Sequence, residues 1–559
     1  MQPERLAPPL RLTRAPLAIA VVLLAGAAAT LVLPYFVPVA PVISESYLLG
    51  FNNQACFVIF VTFALFFSWW TGGFGLRSPE MKSDGTSTKP ALMLLLVVSI
   101  AFFGVTLIEW LRIRAHPAMS EAMYFLDRLQ HLETGRLPFA GFEFAYGPLL
   151  LYVPLFLSRV FPLSISDAYY VSWIGEYVVG VAIIYGAVAL LPAPKPQKNV
   201  IFLLLACSWW AGPLSFGCNY TPFRYFLAPL LALAVVQRIR SQANPLRVGV
   251  ELLLGEVLVL LVSPEQAIAF LAATLVFTGY CYLRSRSFRL VATAVVFAVG
   301  SGLALAACHR FGVFLTLNTM RRGGYNFPLL PVVQHLPIVV LLLVGAAGLV
   351  NNFRRKCNPG EVDMLLLLGL FALPAAFGRS DIGHFLVNST PALMAAWCIL
   401  AQYPKLFRSV ALAYTALVLV LPAPGILLGA ARAQKGDRGT TLVRFEANGQ
   451  VEASTPLAPL GRPIANSSRI SAPLADTGYY YGLLNVTLPF QVEQKVREMA
   501  ADPERDHCCR TSFRAPRFWT GRLYEELCPR FMFHRHAGHR TSTIRSAPIF
   551  MLTTSGLRS

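Results

Sequence analysis

Long apolar runs separated by short polar breaks set the pattern of this chain. A helix crosses a bilayer with about 20 consecutive apolar residues, and the pattern offers about thirteen such runs. They fall at 15–33, 54–70, 91–111, 168–191, 200–213, 223–236, 248–262, 267–283, 290–308, 330–350, 363–378, 385–402 and 410–429. The expectation is an all-α polytopic membrane domain over residues 1–430. Arg5, Arg11 and Arg14 precede the first run as in a signal peptide. No small-residue cleavage site follows and further spans come soon, so an uncleaved first helix is expected.

Lys and Arg accumulate in cytoplasmic loops, so their positions test the order of the spans. With the N-terminus cytoplasmic, the inside loops hold Arg77, Lys82 and Lys89, then Lys195 and Lys198, then Arg238, Arg240 and Arg247. Arg284, Arg286 and Arg289 follow, then Arg354, Arg355 and Lys356, then Lys405 and Arg408. The opposite loops are poor in cations except where Arg and acids occur together: residues 112–148, Arg310 with Arg321 and Arg322, and Arg379 with Asp381. This alternation requires that Leu149–Leu157 not cross the membrane. The segment is too short to do so and reads as re-entrant or interfacial.

The longest polar interruption runs from Arg112 to Pro148. Within it Ser120 is placed to cap a helix, and Met119, Ala122, Met123, Leu126, Leu129 and Leu132 recur at helical spacing up to a stop at Gly135. The predicted helix is amphipathic, with its apolar stripe in the membrane interface and Asp127, Arg128, Gln130, His131 and Thr134 toward water. Glu121 falls in its first turn, where the helix dipole favours the ionised carboxylate and so suits a proton acceptor.

Composition agrees with a membrane protein. Of 559 residues 55% are hydrophobic and 13% charged, where a soluble domain carries about a quarter charged; mean hydropathy is +0.56. A net charge of +19 would elsewhere suggest nucleic acid, but here the cations lie in short loops and set orientation, so no nucleic-acid partner is expected. From about Ala431 the composition becomes that of a soluble chain, with turn signals at Asn448-Gly449 and Ala472-Pro473. A small mixed α/β domain over 431–559 is expected, on the outer side by the same count.

Seven of the ten cysteines (Cys56, Cys207, Cys218, Cys281, Cys308, Cys357, Cys398) fall at or inside apolar segments and read as buried packing. The C-terminal region holds Cys508, Cys509, Cys528, His534, His536 and His539, without the paired C-x-x-C of a zinc knuckle. A disulfide from Cys528 to one of the adjacent pair is the favoured reading there. Asn388, Asn466 and Asn485 begin sequences of the glycosylation pattern, which is frequent by chance.

Ionisable residues near membrane depth are costly and therefore functional candidates. Besides 112–148, three breaks qualify: Ser263-Pro264-Glu265-Gln266, Cys308 through Tyr325 with Arg321 and Arg322, and Gly378 through His384 with Arg379 and Asp381. Arginine and histidine at a membrane surface can hold the phosphate of a lipid-anchored substrate, while a carboxylate removes a proton from an incoming hydroxyl or amine. The competing reading for each residue is an ion pair or helix cap that fixes a loop. Asp127 reads as a solvated helix face, and Glu143 as a brace for the turn that follows.

An acid at the start of an amphipathic helix, then Gly135-Arg136-Leu137-Pro138-Phe139 and a Tyr146-Gly147-Pro148 turn, resembles the GT-C superfamily of integral-membrane glycosyltransferases. In that family the loop carries an Asp-Glu pair, a helix, Gly-x-x-Pro-Tyr and Tyr-Gly-Pro; here Ser120-Glu121 stands at the pair. The resemblance covers about residues 90–400 and implies an inverting transferase of the inner membrane that takes a sugar from a polyprenyl-phosphate donor. It implies Glu121 as the catalytic residue, acting as the base or coordinating the acceptor. Arg321, Arg322, Arg379, Asp381, His384, Glu265 and Tyr146 are the expected substrate-binding residues, with membrane lipids as partners. No residue is assigned to a metal, and a requirement for a divalent ion stays open, as does the acceptor. A transporter or flippase of lipid-linked sugars is the alternative from another class, though its repeated halves are absent. An inactive envelope scaffold is the third.

Overall fold

The computed structural model describes residues 15–38, 51–71, 88–115, 121–139, 144, 146–209, 217–241, 243–310, 329, 333, 335–354, 359–378, 382–420, 443–445 and 451–453. Helices dominate them. Eight are long and apolar enough to cross a membrane: α1 (Ala15–Val32, extended by a 3₁₀ turn to Phe36), α2 (Asn53–Thr71), α3 (Thr88–Ala115), α6 (Ile165–Leu190), α8 (Pro222–Arg240), α10 (Pro264–Ser285), α11 (Phe288–Arg310) and α12 (His335–Arg354). Between and after them lie α4 (Glu121–Glu133), α5 (Leu149–Val160), α7 (Lys195–Cys207), α9 (Pro245–Val262), α13 (Glu361–Gly378), α14 (Ile382–Asn388), α15 (Thr390–Ala401) and α16 (Pro404–Tyr414).

Of the expected thirteen spans, eight are helices that meet length and apolarity together among the described residues, and the other five are helical over the residues described there. α7 has 13 residues, about 20 Å at 1.5 Å per residue. α9 carries Arg247, Glu251 and Glu256, and α13 opens with Glu361 and Asp363. The expected span 385–402 is broken at Ser389 because Pro391 lies in the first turn of α15; a proline there cannot donate to the preceding turn. α16 passes into a π-helical turn, Thr415–Val420. Residues 149–157 belong to α5, 12 residues long and about 18 Å, short of the length of a span.

α6 and α8 form the most extensive helix pair. Gly180 permits it, since a Cβ there would overlap Pro222 and the Phe223 backbone. α8, α10 and α13 pack in sequence, and α1 and α2 join through α12. The two ends of this bundle differ in chemistry. At one end Arg240 pairs with Glu361, Arg238 and Arg247 both reach Glu251 (3.1 and 2.9 Å), and Arg284 donates to the Phe353 carbonyl (3.3 Å). At the other, Asn53 donates to the Phe377 carbonyl (2.6 Å), the Gly147 N–H to the Val262 carbonyl (3.2 Å), and His335 packs on Phe385. Among the described residues, Arg238, Arg240, Arg247 and Arg284 thus gather at one end, and Asn53, Gly147, His335 and Phe377 at the other.

Of the C-terminal region, Val443–Phe445 and Val451–Ala453 pair as antiparallel strands. The rest of the expected mixed α/β domain, with Cys508, Cys509, Cys528, His534, His536 and His539, lies outside the described residues.

Candidate functional site

The loop between α3 and α6 is organised by α4. Glu121 is its first residue, as the sequence predicted, and Gly135 ends it at φ +82°. The Arg136 N–H reaches back to the His131 carbonyl and the Gly135 N–H to Leu132 (both 3.1 Å), which is the Schellman closure that glycine allows. Of the expected apolar stripe, Leu126 packs partly buried against the core, and Met119 and the Met123 side chain lie outside the described residues. Ala122, Phe125, Leu129 and Leu132 are buried, and they face protein rather than the membrane interface. The reading that used Met123 and Leu126 omitted Phe125, whose ring stacks on Tyr146 (5.8 Å, 9°) and meets Phe144 edge-on. Tyr169 of α6 closes this aromatic cluster from the other side (5.6 Å).

The turn that follows explains its own residues. Phe139 adopts φ +67°, a conformation that costs a side-chain-bearing residue about 1–2 kcal/mol, and its ring rests on Phe144. Gly147 lies against the last turn of α9, where a Cβ would overlap the Leu261 carbonyl. Pro148 then caps α5. Tyr146 is thereby fixed with its ring buried and its hydroxyl aimed at Asn219.

From that hydroxyl a closed ring of polar contacts runs around the bundle end. Asn219 Nδ2 donates to Tyr146 Oη (2.8 Å), and the Asn219 carbonyl accepts from Arg224 Nη1 (2.9 Å). Arg224, buried in the first turn of α8, pairs through Nη2 with Glu265 in the first turn of α10. The neighbouring Gln266 donates to Asn388 Oδ1 (3.3 Å), and Asn388 Nδ2 donates to the His384 carbonyl (2.9 Å). His384 Nε2 meets the Tyr220 hydroxyl at 2.8 Å, and Tyr220 follows Asn219 in the chain, so the ring closes. Tyr177 donates to the Tyr220 carbonyl (2.8 Å), and Thr221 donates to Glu176 (2.9 Å), tying the 3₁₀ turn Cys218–Tyr220 to α6.

Arg224 anchors this arrangement. Besides Glu265 and Asn219, it donates to Ser263 through Nε (3.1 Å) and to Tyr225 (3.1 Å). Its guanidinium stands 4.6 Å from the Tyr146 ring centre and 4.9 Å from that of Tyr225, so cation–π attraction adds to the ion pair. A buried charge needs this many partners to persist. Burial, and the Glu176 carboxylate beside it, push the Cys218 thiol well above its usual range, which leaves it an inert packing group.

Three expected site residues thus come together: Tyr146, Glu265 and His384. Glu121 opens the helix whose Phe125 stacks on Tyr146, and its side chain lies outside the described residues. Arg321, Arg322, Arg379 and Asp381 also lie outside them. Sequence reasoning missed Arg224, Asn219 and Tyr220. Arg224 falls inside the expected span 223–236, and the polar string Asn219-Tyr220-Thr221 before Pro222 marks a break like the others. Among the described residues no three His, Cys, Asp or Glu side chains form a group that could hold a metal ion. The Tyr220–His384 pair can hold an oxyanion or pass a proton, since imidazole takes either role. No protein-family model, curated protein or solved structure matches this chain.

Proposed function

We propose that this protein is a membrane glycosyltransferase that moves a sugar from a polyprenyl-phosphate donor to an acceptor at the end of the bundle where the polar ring lies. The observation that carries the reading is the meeting of Tyr146, Glu265 and His384, drawn from three distant breaks, beside the helix that begins at Glu121. By the distribution of Lys and Arg, the ring end faces the periplasm and the cation-rich end the cytoplasm.

In this reading Glu121 takes a proton from the acceptor hydroxyl or amine, and the acceptor attacks the anomeric carbon with inversion. The bond to the donor phosphate breaks, and its electron pair leaves with the polyprenyl phosphate. Arg321, Arg322 or Arg379 holds that phosphate, while the Tyr220–His384 pair and the ring fix the floor. The prenyl tail lies among the helices in lipid.

Purified protein in vesicles carrying a polyprenyl-phosphate sugar tests this, with sugar incorporation and lipid translocation measured in parallel. Transfer is expected, and Glu121→Gln is expected to lower it by about 10²–10⁴-fold. Translocation without transfer would replace the reading by a transporter; transfer unaffected by Glu121→Gln would remove the assigned base.

A further inference from the structure

Away from the ring, α9 and α11 enclose a carboxyl that the site does not use. Glu256 of α9 and Ser301 of α11 are both fully buried, and the Ser301 hydroxyl donates to Glu256 Oε2. Glu256 Oε1 has no hydrogen-bond partner among the described residues, and no cation among them pairs with the group.

The charged groups on the four helices packed against α9 are committed elsewhere or sit at helix ends. On α8, Arg224 is paired with Glu265 of α10, and Arg238 and Arg240 are paired with Glu251 and Glu361 at the cation-rich end. Arg284 closes α10 on the Phe353 carbonyl, and Arg159 lies in the last turn of α5. α11 carries Arg289 in its first turn and His309 and Arg310 at its end, with Cys308 two turns beyond Ser301. On α9 itself Arg247 and Glu251 pair one turn or more from Glu256.

The two helices touch closely. A Cβ on Gly300 would press on Leu253, and one on Gly249 on Val296; small residues permit this approach in membranes. The opposite face of α11, with Val295, Val299 and Leu303, is exposed and suited to lipid. A carboxylate in such a contact, with one donor and no cation, is strongly disfavoured against the neutral acid.

We propose that Glu256 is a proton-binding site: as the neutral acid it lets α11 close on α9, and its ionisation to a carboxylate, with the proton passing to water, loosens that contact. α9 leads directly into Ser263 and Glu265, and α11 into the connection that bears Arg321 and Arg322. A proton between them therefore couples the seating of Glu265 to pH. The inference stands apart from sugar transfer and holds for any activity of the ring.

Thermal unfolding of the purified full chain as a function of pH tests it. The folded state keeps this proton to higher pH than the unfolded chain does. Its contribution is thus complete below the ordinary carboxyl range and is lost as pH rises through the folded-state titration. Glu256→Gln, neutral at every pH and of the same shape, is expected to abolish that alkaline loss of unfolding temperature. Ser301→Ala, which removes the donor to the carboxylate, is expected to move the midpoint of the loss to higher pH, and it decides alone if the glutamine variant fails to fold. Parallel pH profiles for wild type and Glu256→Gln, or an unmoved midpoint in Ser301→Ala, would overturn the proposal.

Discussion

The Tyr220 hydroxyl and His384 Nε2 meet at 2.8 Å across 164 positions of sequence, their rings set edge to face at 5.2 Å. This contact joins the turn before α8 to the short helix α14. Tyr220→Phe and His384→Ala should therefore couple in unfolding measurements, with an interaction energy of about 0.5–3 kcal/mol in a double-mutant cycle. Additive effects would mean that the contact holds nothing together.

The Arg224–Glu265 pair should show the asymmetry of buried charges. Arg224→Ala or Glu265→Ala leaves its partner uncompensated and is expected to destabilise by about 3–5 kcal/mol. Arg224→Met combined with Glu265→Met should recover a large part of that loss, as read by denaturant unfolding. A double variant as unstable as the summed singles would point to Ser263, Asn219 and Tyr225 as the larger partners of Arg224.

Gly147→Ala is expected to destabilise by about 1–3 kcal/mol through overpacking, because its Cβ would overlap the Leu261 carbonyl. Tyr146 is the adjacent residue, so any sugar transfer should fall further than stability alone explains. Measuring transfer at a temperature where the variant stays folded separates the two effects.

Cys218 should resist alkylation by maleimide in the folded protein at neutral pH, since its thiol is held well above the usual range. Its reaction should begin only in strongly alkaline solution or after denaturation. Residue-resolved mass spectrometry reads this, and rapid native labelling would show that the 3₁₀ turn is open.

Much of the fold could be read from the residues because its cause is local. Apolar runs of span length gave α1, α2, α3, α6, α8, α10, α11 and α12, and Glu121 and Gly135 bounded α4. Where local rules competed, the sequence misled: Pro391 split a run that looked continuous, and Arg247, Glu251 and Glu256 make α9 more polar than a plain span. The ring was legible only in parts. Glu265, His384 and Tyr146 stood out as polar residues in apolar surroundings, but Arg224 lies within the apolar run 223–236. Its meaning depends on Glu265, 41 positions away, which no periodicity encodes. Phe125 was overlooked for a related reason: its stripe is set by the aromatic cluster it enters, not by a membrane surface.

In the proposed reading the distant polar breaks emerge at one water boundary. Single cysteines at Leu137, in the turn after α4, at Val333, before α12, and at Arg286, between α10 and α11, test it in a background without other cysteines. All three positions are exposed, and labelling with a membrane-impermeant thiol reagent in sealed vesicles of both orientations gives their sides. Leu137→Cys and Val333→Cys are expected to react from one side and Arg286→Cys from the other. Reaction of Leu137→Cys and Val333→Cys from opposite sides would contradict it.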